Sequence, residues 1–126
     1  MSKLVLVTGG TRGIGAAIAA KLQKDGHEVI STYIGHPEAA EKYSKETGIK
    51  TYKFDVGYFE SCQKGIEEVE KSTGKTVDVL INNAGITRDR FLHKMSVDEW
   101  NAVINTNLNS VFNMTRCVIE KMRAKG

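Results

Sequence analysis

The sequence predicts an α/β fold, a doubly wound parallel sheet with helices on both faces. Three observations carry this. Short apolar runs alternate with helical patterns throughout the 126 residues. Glycines stand where the helical patterns stop. Two of the runs, LVLV at Leu4–Val7 and VDVLI at residues 77–81, are nearly continuous, as in strands covered by helices on both faces. Alternation at this spacing implies right-handed crossovers between parallel strands.

The first strand, KLVLV at residues 3–7, leads into a helix whose Ile14, Ala17, Ile18 and Leu22 recur at helical spacing. Gly26 closes that helix where a left-handed residue is needed. EVISTYI follows, then a helix with Pro37 in its first turn and Gly48 beyond its end. In TYKFDV, Tyr52, Phe54 and Val56 alternate with Thr51, Lys53 and Asp55, the pattern of an edge strand. A third helix carries Phe59, Cys62, Ile66 and Val69 and stops at Gly74. After VDVLI, Ser96 and Glu99 form a capping box. It opens one long helical pattern through Trp100, Val103, Ile104, Leu108, Val111, Phe112, Thr115, Ile119 and Met122. The strand order that fits is 3-2-1-4, with the topological switch between strands one and four. Strand four reads as central, yet no fifth strand covers its outer edge, so the sheet is expected to be incomplete. Such an edge is an association hazard.

Hydrophobic content of 40% and charge of 26% lie in the ordinary soluble range, and residues 1–126 are expected to form part of a single domain. Apolar runs of four or five residues cannot span a membrane. No signal segment precedes the first strand, so a cytoplasmic protein is expected. The net charge of +3 is spread along the chain. Lys121, Arg123 and Lys125 read as a solvated helix end and not as a nucleic-acid surface. Cys62 and Cys117 lack metal or redox spacing and are expected to be reduced thiols in or near the core, with no metal site.

The functional signal lies in VTGGTRGIGAAIA, which begins at Val7 between the first strand and its helix. A P-loop requires Lys and Ser or Thr after its last glycine. Here Gly10-x4-Gly15 runs into Ala16 and Ala17. A G-x-G-x-x-G turn starting at Gly13 fails at Ile18. What remains is Thr8 followed by Gly9-x-x-x-Gly13-x-Gly15. Its glycines let the backbone approach a pyrophosphate, whose charge meets the N–H groups and dipole of the helix start. NNAG, residues 82–85, follows strand four on the same carboxyl edge. Small Ala84 and Gly85 leave room for a flat ligand there, and the Asn amides can bond exposed backbone.

Together with Asp55-Val56 and INTN at residues 104–107, these motifs resemble those of the short-chain dehydrogenase/reductase family, whose dinucleotide domain is Rossmann-like. The resemblance covers the whole chain and is greatest to members that reduce 3-oxoacyl thioesters. It implies hydride transfer from NADP(H) to the 3-keto carbon of an acyl-CoA thioester. The expected substrate is acetoacetyl-CoA, in polyhydroxybutyrate synthesis, or its acyl-carrier-protein counterpart. The implied cofactor residues are Gly9, Thr11, Arg12, Gly13, Ile14 and Gly15 at the pyrophosphate and adenosine, with Tyr33. Asp55 and Val56 would meet the adenine, and Asn83, Ala84, Gly85, Ile86 and Thr87 the ribose and nicotinamide. Asp89 is expected near the thioester. Asn107 matches the family's catalytic helix Asn. It also interrupts an apolar stripe, where an unpaired amide would cost about 1–3 kcal/mol. A homotetramer is implied as well.

An NAD-type site places a carboxylate after strand two to bond the ribose 2′-OH. The matching TYIGH, residues 32–36, has none, and Arg12 is placed to meet a 2′-phosphate. One departure matters. The family's Ser and its Tyr-x-x-x-Lys pair supply the proton. Here Tyr33, Tyr43, Tyr52 and Tyr58 are followed four residues on by Pro37, Thr47, Val56 and Cys62. The chain is therefore expected to be the N-terminal part of such a reductase, inactive alone. A complete, non-catalytic nucleotide-binding module is the alternative.

Overall fold

Leu4, Leu6 and Val7 are all essentially inaccessible, which places the first strand inside the sheet. The computed structural model describes residues 2–85 and 91–126. Strands β1 (Leu4–Val7), β2 (Glu28–Tyr33), β3 (Lys50–Lys53) and β4 (Val79–Ile81) form one parallel sheet in the order β3-β2-β1-β4. Val5 lies opposite Val29 on one side and Val79 on the other. The expected fold class and strand order are therefore observed. On β3 and just beyond it, Tyr52, Phe54 and Val56 are buried and Lys53 is exposed, as the alternation requires.

Helices α1 (Gly13–Lys24), α2 (Pro37–Thr47), α3 (Phe59–Thr73), α4 (Val97–Ile104) and α5 (Ser110–Lys125) complete the fold. One face of the sheet packs Leu4, Leu6, Ile30 and Tyr52 against Ile66, Val69, Met114 and Val118 of α3 and α5. The other packs Val5, Val7 and Val29 with Ala19 of α1, joined by Leu22 and Tyr43. Gly48 and Gly74 cap α2 and α3 with φ of 76° and 69°, and Gly26 follows α1 at 95°. Pro37 opens α2 and the Ser96–Glu99 capping box opens α4. Both cysteines are free thiols, with Cys62 buried and Cys117 partly so. Burial pushes the Cys62 thiol up to about 12.

Two sequence expectations need correction. On α1 the buried residues are Gly15 and Ala19, whereas Ile14 is 74% exposed. Small residues make the contact because the helix start approaches the β1 and β4 loops closely. The single long helix is also interrupted. Residues Asn105–Asn109 form a π turn between α4 and α5. The extra residue in that turn shifts the helical register, so α5 buries Ser110, Asn113, Met114 and Val118. Trp100, Leu108, Val111, Phe112 and Ile119 of the apolar helical pattern are exposed.

β4 is only half-buried, and among the described residues it pairs with β1 alone. Just ahead of it, Asp78 Oδ2 accepts the Leu4 N–H at 2.8 Å, and Oδ1 pairs with the Lys125 ammonium of α5. The Lys125 hydrogen bond, aided by the Leu4 amide, holds this carboxyl below the usual carboxylate range. No described helix is long and apolar enough to cross a membrane.

Candidate nucleotide-binding site

The carboxyl ends of β1, β2 and β4, with the turn that follows β3, open into a cleft of about 430 Å³. Its floor is the glycine turn. Gly9 and Gly13 have φ of 63° and 54°, a left-handed backbone that side chains disfavour. A Cβ on Gly9 would come within 3.1 Å of Ala84 Cα, and one on Gly15 would collide with the Asn83 amide and the Gly9 carbonyl. Only glycines let these two loops touch.

The loops are also bonded together. Thr8 Oγ1 accepts the Asn83 and Ala84 N–H groups, each at 3.0 Å. Asn83 Nδ2 donates to the Gly9 carbonyl at 3.2 Å. The expected use of an Asn amide on exposed backbone is thus seen, and it locks the cleft's floor. At Arg12, which precedes α1 in extended backbone, no side-chain cap is present among the described residues. The first-turn N–H groups of α1 have no intrahelical acceptor, which leaves them available to an anion beside the cleft.

Gly9, Thr11, Arg12, Gly13, Tyr33, Asp55, Val56, Asn83, Ala84 and Gly85 all line the cleft. Ile14 lies outside it with its side chain in solvent, and Gly15 is packed behind its wall. Ile86, Thr87 and Asp89 lie outside the described residues. Asn107 is exposed, not buried as the apolar stripe implied, because the π turn lifts it out of the helix–core contact. Its Oδ1 nevertheless sits 3.4 Å from where a Gly85 Cβ would be, at the cleft's inner rim. Thr32, Ile34, Gly35 and His36 of the TYIGH stretch also line the cleft, and so do Thr106 of the π turn and Phe54, which sequence reasoning did not single out as site residues. The rule that strand carboxyl ends line the crevice would have found Phe54. His36 adopts a left-handed φ of 56°, an uncommon state for a non-glycine residue.

Charge divides the cleft. Arg12 lines the turn end, and Asp55 is the one carboxylate lining the cleft among the described residues. Asp55 Oδ1 already accepts the Gly57 N–H at 2.8 Å. Neither the end of β2 nor the glycine turn carries an acid. The set fits a dinucleotide: a cradle that a Cβ on Gly9 or Gly15 would fill, and a helix start for the pyrophosphate. No group of acidic, His or Cys side chains among the described residues can hold a metal ion.

Residues 3–126 match the family described as short chain dehydrogenase, and the chain belongs to the short-chain dehydrogenase/reductase family. It is 54% identical over 123 residues to an acetoacetyl-CoA reductase of Shinella zoogloeoides, covering 98% of this chain and 51% of that protein. A 3-oxoacyl-[acyl-carrier-protein] reductase of Vibrio harveyi is 42% identical, over 98% of this chain and 50% of its own length. Among solved structures, a Serratia marcescens short-chain dehydrogenase/reductase double mutant superposes with a TM-score of 0.86 at 27% identity, covering 95% of this chain and 51% of that one. The chain thus spans about half the length of the relatives it matches.

Proposed function

We propose that the cleft binds NADP(H) and that the protein is an NADPH-dependent reductase of 3-oxoacyl thioesters, acting on acetoacetyl-CoA. The product is the (R)-3-hydroxyacyl thioester, a precursor for polyhydroxybutyrate, and a cytoplasmic setting is part of the same proposal. One observation carries the cofactor reading. The glycine turn at the start of α1 sets Arg12 beside a cleft whose β2 end has no carboxylate. A 2′-phosphate is thereby attracted and not repelled. The substrate reading rests on the named relatives.

Bound there, NADPH supplies the hydride. Asp55 and Val56 would hold the adenine and Gly9–Gly13 the pyrophosphate. Asn107, whose Oδ1 lies near Gly85, would support the nicotinamide end. Reducing a ketone also needs a proton delivered to the developing alkoxide, and a positioned acid contributes about 10²–10⁴-fold. Among the groups placed here, an Asn amide is no practical acid. His93 lies exposed in the short 3-10 turn Leu92–Lys94. None of the four tyrosines has a Lys four residues on.

The 126-residue chain is therefore expected to bind NADPH yet turn over no acetoacetyl-CoA. A form of the protein that contains a Tyr-x-x-x-Lys pair is expected to reduce it stereospecifically. Turnover by the short chain, abolished by His93→Ala, would place the acid on His93 and contradict this assignment. The same tyrosine pattern also favours a second reading, a nucleotide-binding module without chemistry. Absence of turnover in every form that binds NADPH would establish that instead.

A further inference from the structure

A polar side chain buried in a helix–sheet contact costs stability unless it is bonded, and α5 carries one. Asn113 is 6% exposed, set between Phe112 and Met114. Its Nδ2 donates to the Val56 carbonyl at 3.0 Å, a bond that spans 57 positions of sequence. Val56 belongs to the turn after β3 that lines the cleft. The turn is held elsewhere as well. The Asp55 N–H donates to Ser61 Oγ at 2.8 Å, and the Cys62 thiol reaches the Val56 carbonyl at 3.5 Å. A Cβ on Gly57 would stand 3.3 Å from Asn105 in the π turn.

These contacts form a relay. A peptide unit is planar and rigid, so fixing the Val56 carbonyl also fixes the Gly57 N–H, which points the opposite way within the same plane. That N–H donates to Asp55 Oδ1 at 2.8 Å. Asp55 is the carboxylate that lines the cleft at the expected adenine end. With Oδ1 bound, Oδ2 is the oxygen left to meet a base.

We propose that Asn113 is a positioning residue for purine recognition: through the Val56–Gly57 peptide it aims the Asp55 carboxylate at the 6-amino group of the bound dinucleotide. The inference rests on the NADP(H) reading above. A carboxylate accepts from a 6-amino group but repels the 6-oxo group of hypoxanthine. The site should therefore distinguish the two bases, and it should lose that ability when the relay is cut at either end.

The test is a fluorescence titration with NADPH and with its hypoxanthine counterpart. It is run on the wild-type chain and on Asn113→Leu, Asn113→Ser and Asp55→Asn, each checked for folding by circular dichroism. The wild type is expected to bind the amino form roughly tenfold more tightly, the scale of one charge-assisted hydrogen bond. Asn113→Leu removes the donor at nearly constant volume. Asn113→Ser, too short to reach Val56, serves if the leucine variant does not fold. Both are expected to bring the ratio to about twofold or less, as is Asp55→Asn, whose amide can turn either way. A purely structural Asn113 would lower the melting temperature and leave the ratio unchanged, and that result overturns the proposal. So does a wild type that binds both forms equally. A wild type that binds neither overturns the nucleotide-site reading and this inference with it.

Discussion

Thr8 shows how much one hydroxyl organises. It directly follows β1, is 2% exposed, and accepts two backbone N–H groups from the loop after β4. Valine has the same shape without the oxygen. Thr8→Val leaves the Ala84 amide without its acceptor at a partly buried site, at a cost of about 1–3 kcal/mol where water cannot reach it, whereas the Asn83 N–H keeps the Ile81 carbonyl at 3.1 Å. Thr8→Ser keeps the oxygen. Urea denaturation is expected to show Thr8→Val less stable by about 1–3 kcal/mol and Thr8→Ser destabilised by clearly less. Equal losses would mean that the methyl group, and not the hydroxyl, holds the loops. Sequence reading marked Thr8 only as the residue before the glycines. Its partners lie 75 and 76 positions away, and no local pattern reports a bond of that span. Asn113 was legible in principle, as a lone amide between Phe112 and Met114. Its acceptor was not.

At the scale of elements, punctuation was read more reliably than packing. Gly26, Gly48 and Gly74 stand where left-handed backbone is required, and Ser96–Glu99 caps α4. Burial patterns alone placed β1 inside the sheet and β3 at its edge, because a strand's covered faces are written in its side-chain alternation. The π turn was illegible. One extra residue changes no composition, yet it moves Asn107 to the rim of the cleft and turns Phe112 and Ile119 outward. Helix α1 misled for a related reason: close approach to the sheet selects Gly15 and Ala19 over the larger apolar residues beside them. The junction of β1, β4 and α5 offers a pH test. Its Asp78 carboxyl, held low by Lys125 and the Leu4 amide, contributes stability above its unfolded pKa of about 3.9. That contribution is lost as pH falls through the lower folded value. Asp78→Ala is expected to cost about 1–2 kcal/mol at pH 7, since the ion pair is partly solvated. The difference from wild type should shrink near pH 3. A difference that stays constant between the two pH values would show that the charge contributes nothing.

For the molecule as a whole, the sheet order brings the glycine turn, the Asn83 loop and the Asp55 turn to one edge although they lie far apart in sequence. The cleft therefore follows from topology, and the motifs decide only what it holds. The central claim is that it holds NADP(H), with Arg12 meeting the 2′-phosphate. Calorimetric titration of the chain with NADPH and with NADH, repeated on Arg12→Ala, tests this most directly. The expected result is saturable one-to-one binding with NADPH preferred, and a preference cut by roughly tenfold or more in Arg12→Ala, the scale of one charge-assisted contact. Equal affinity for both dinucleotides, or an equal loss for both on removing Arg12, would contradict it.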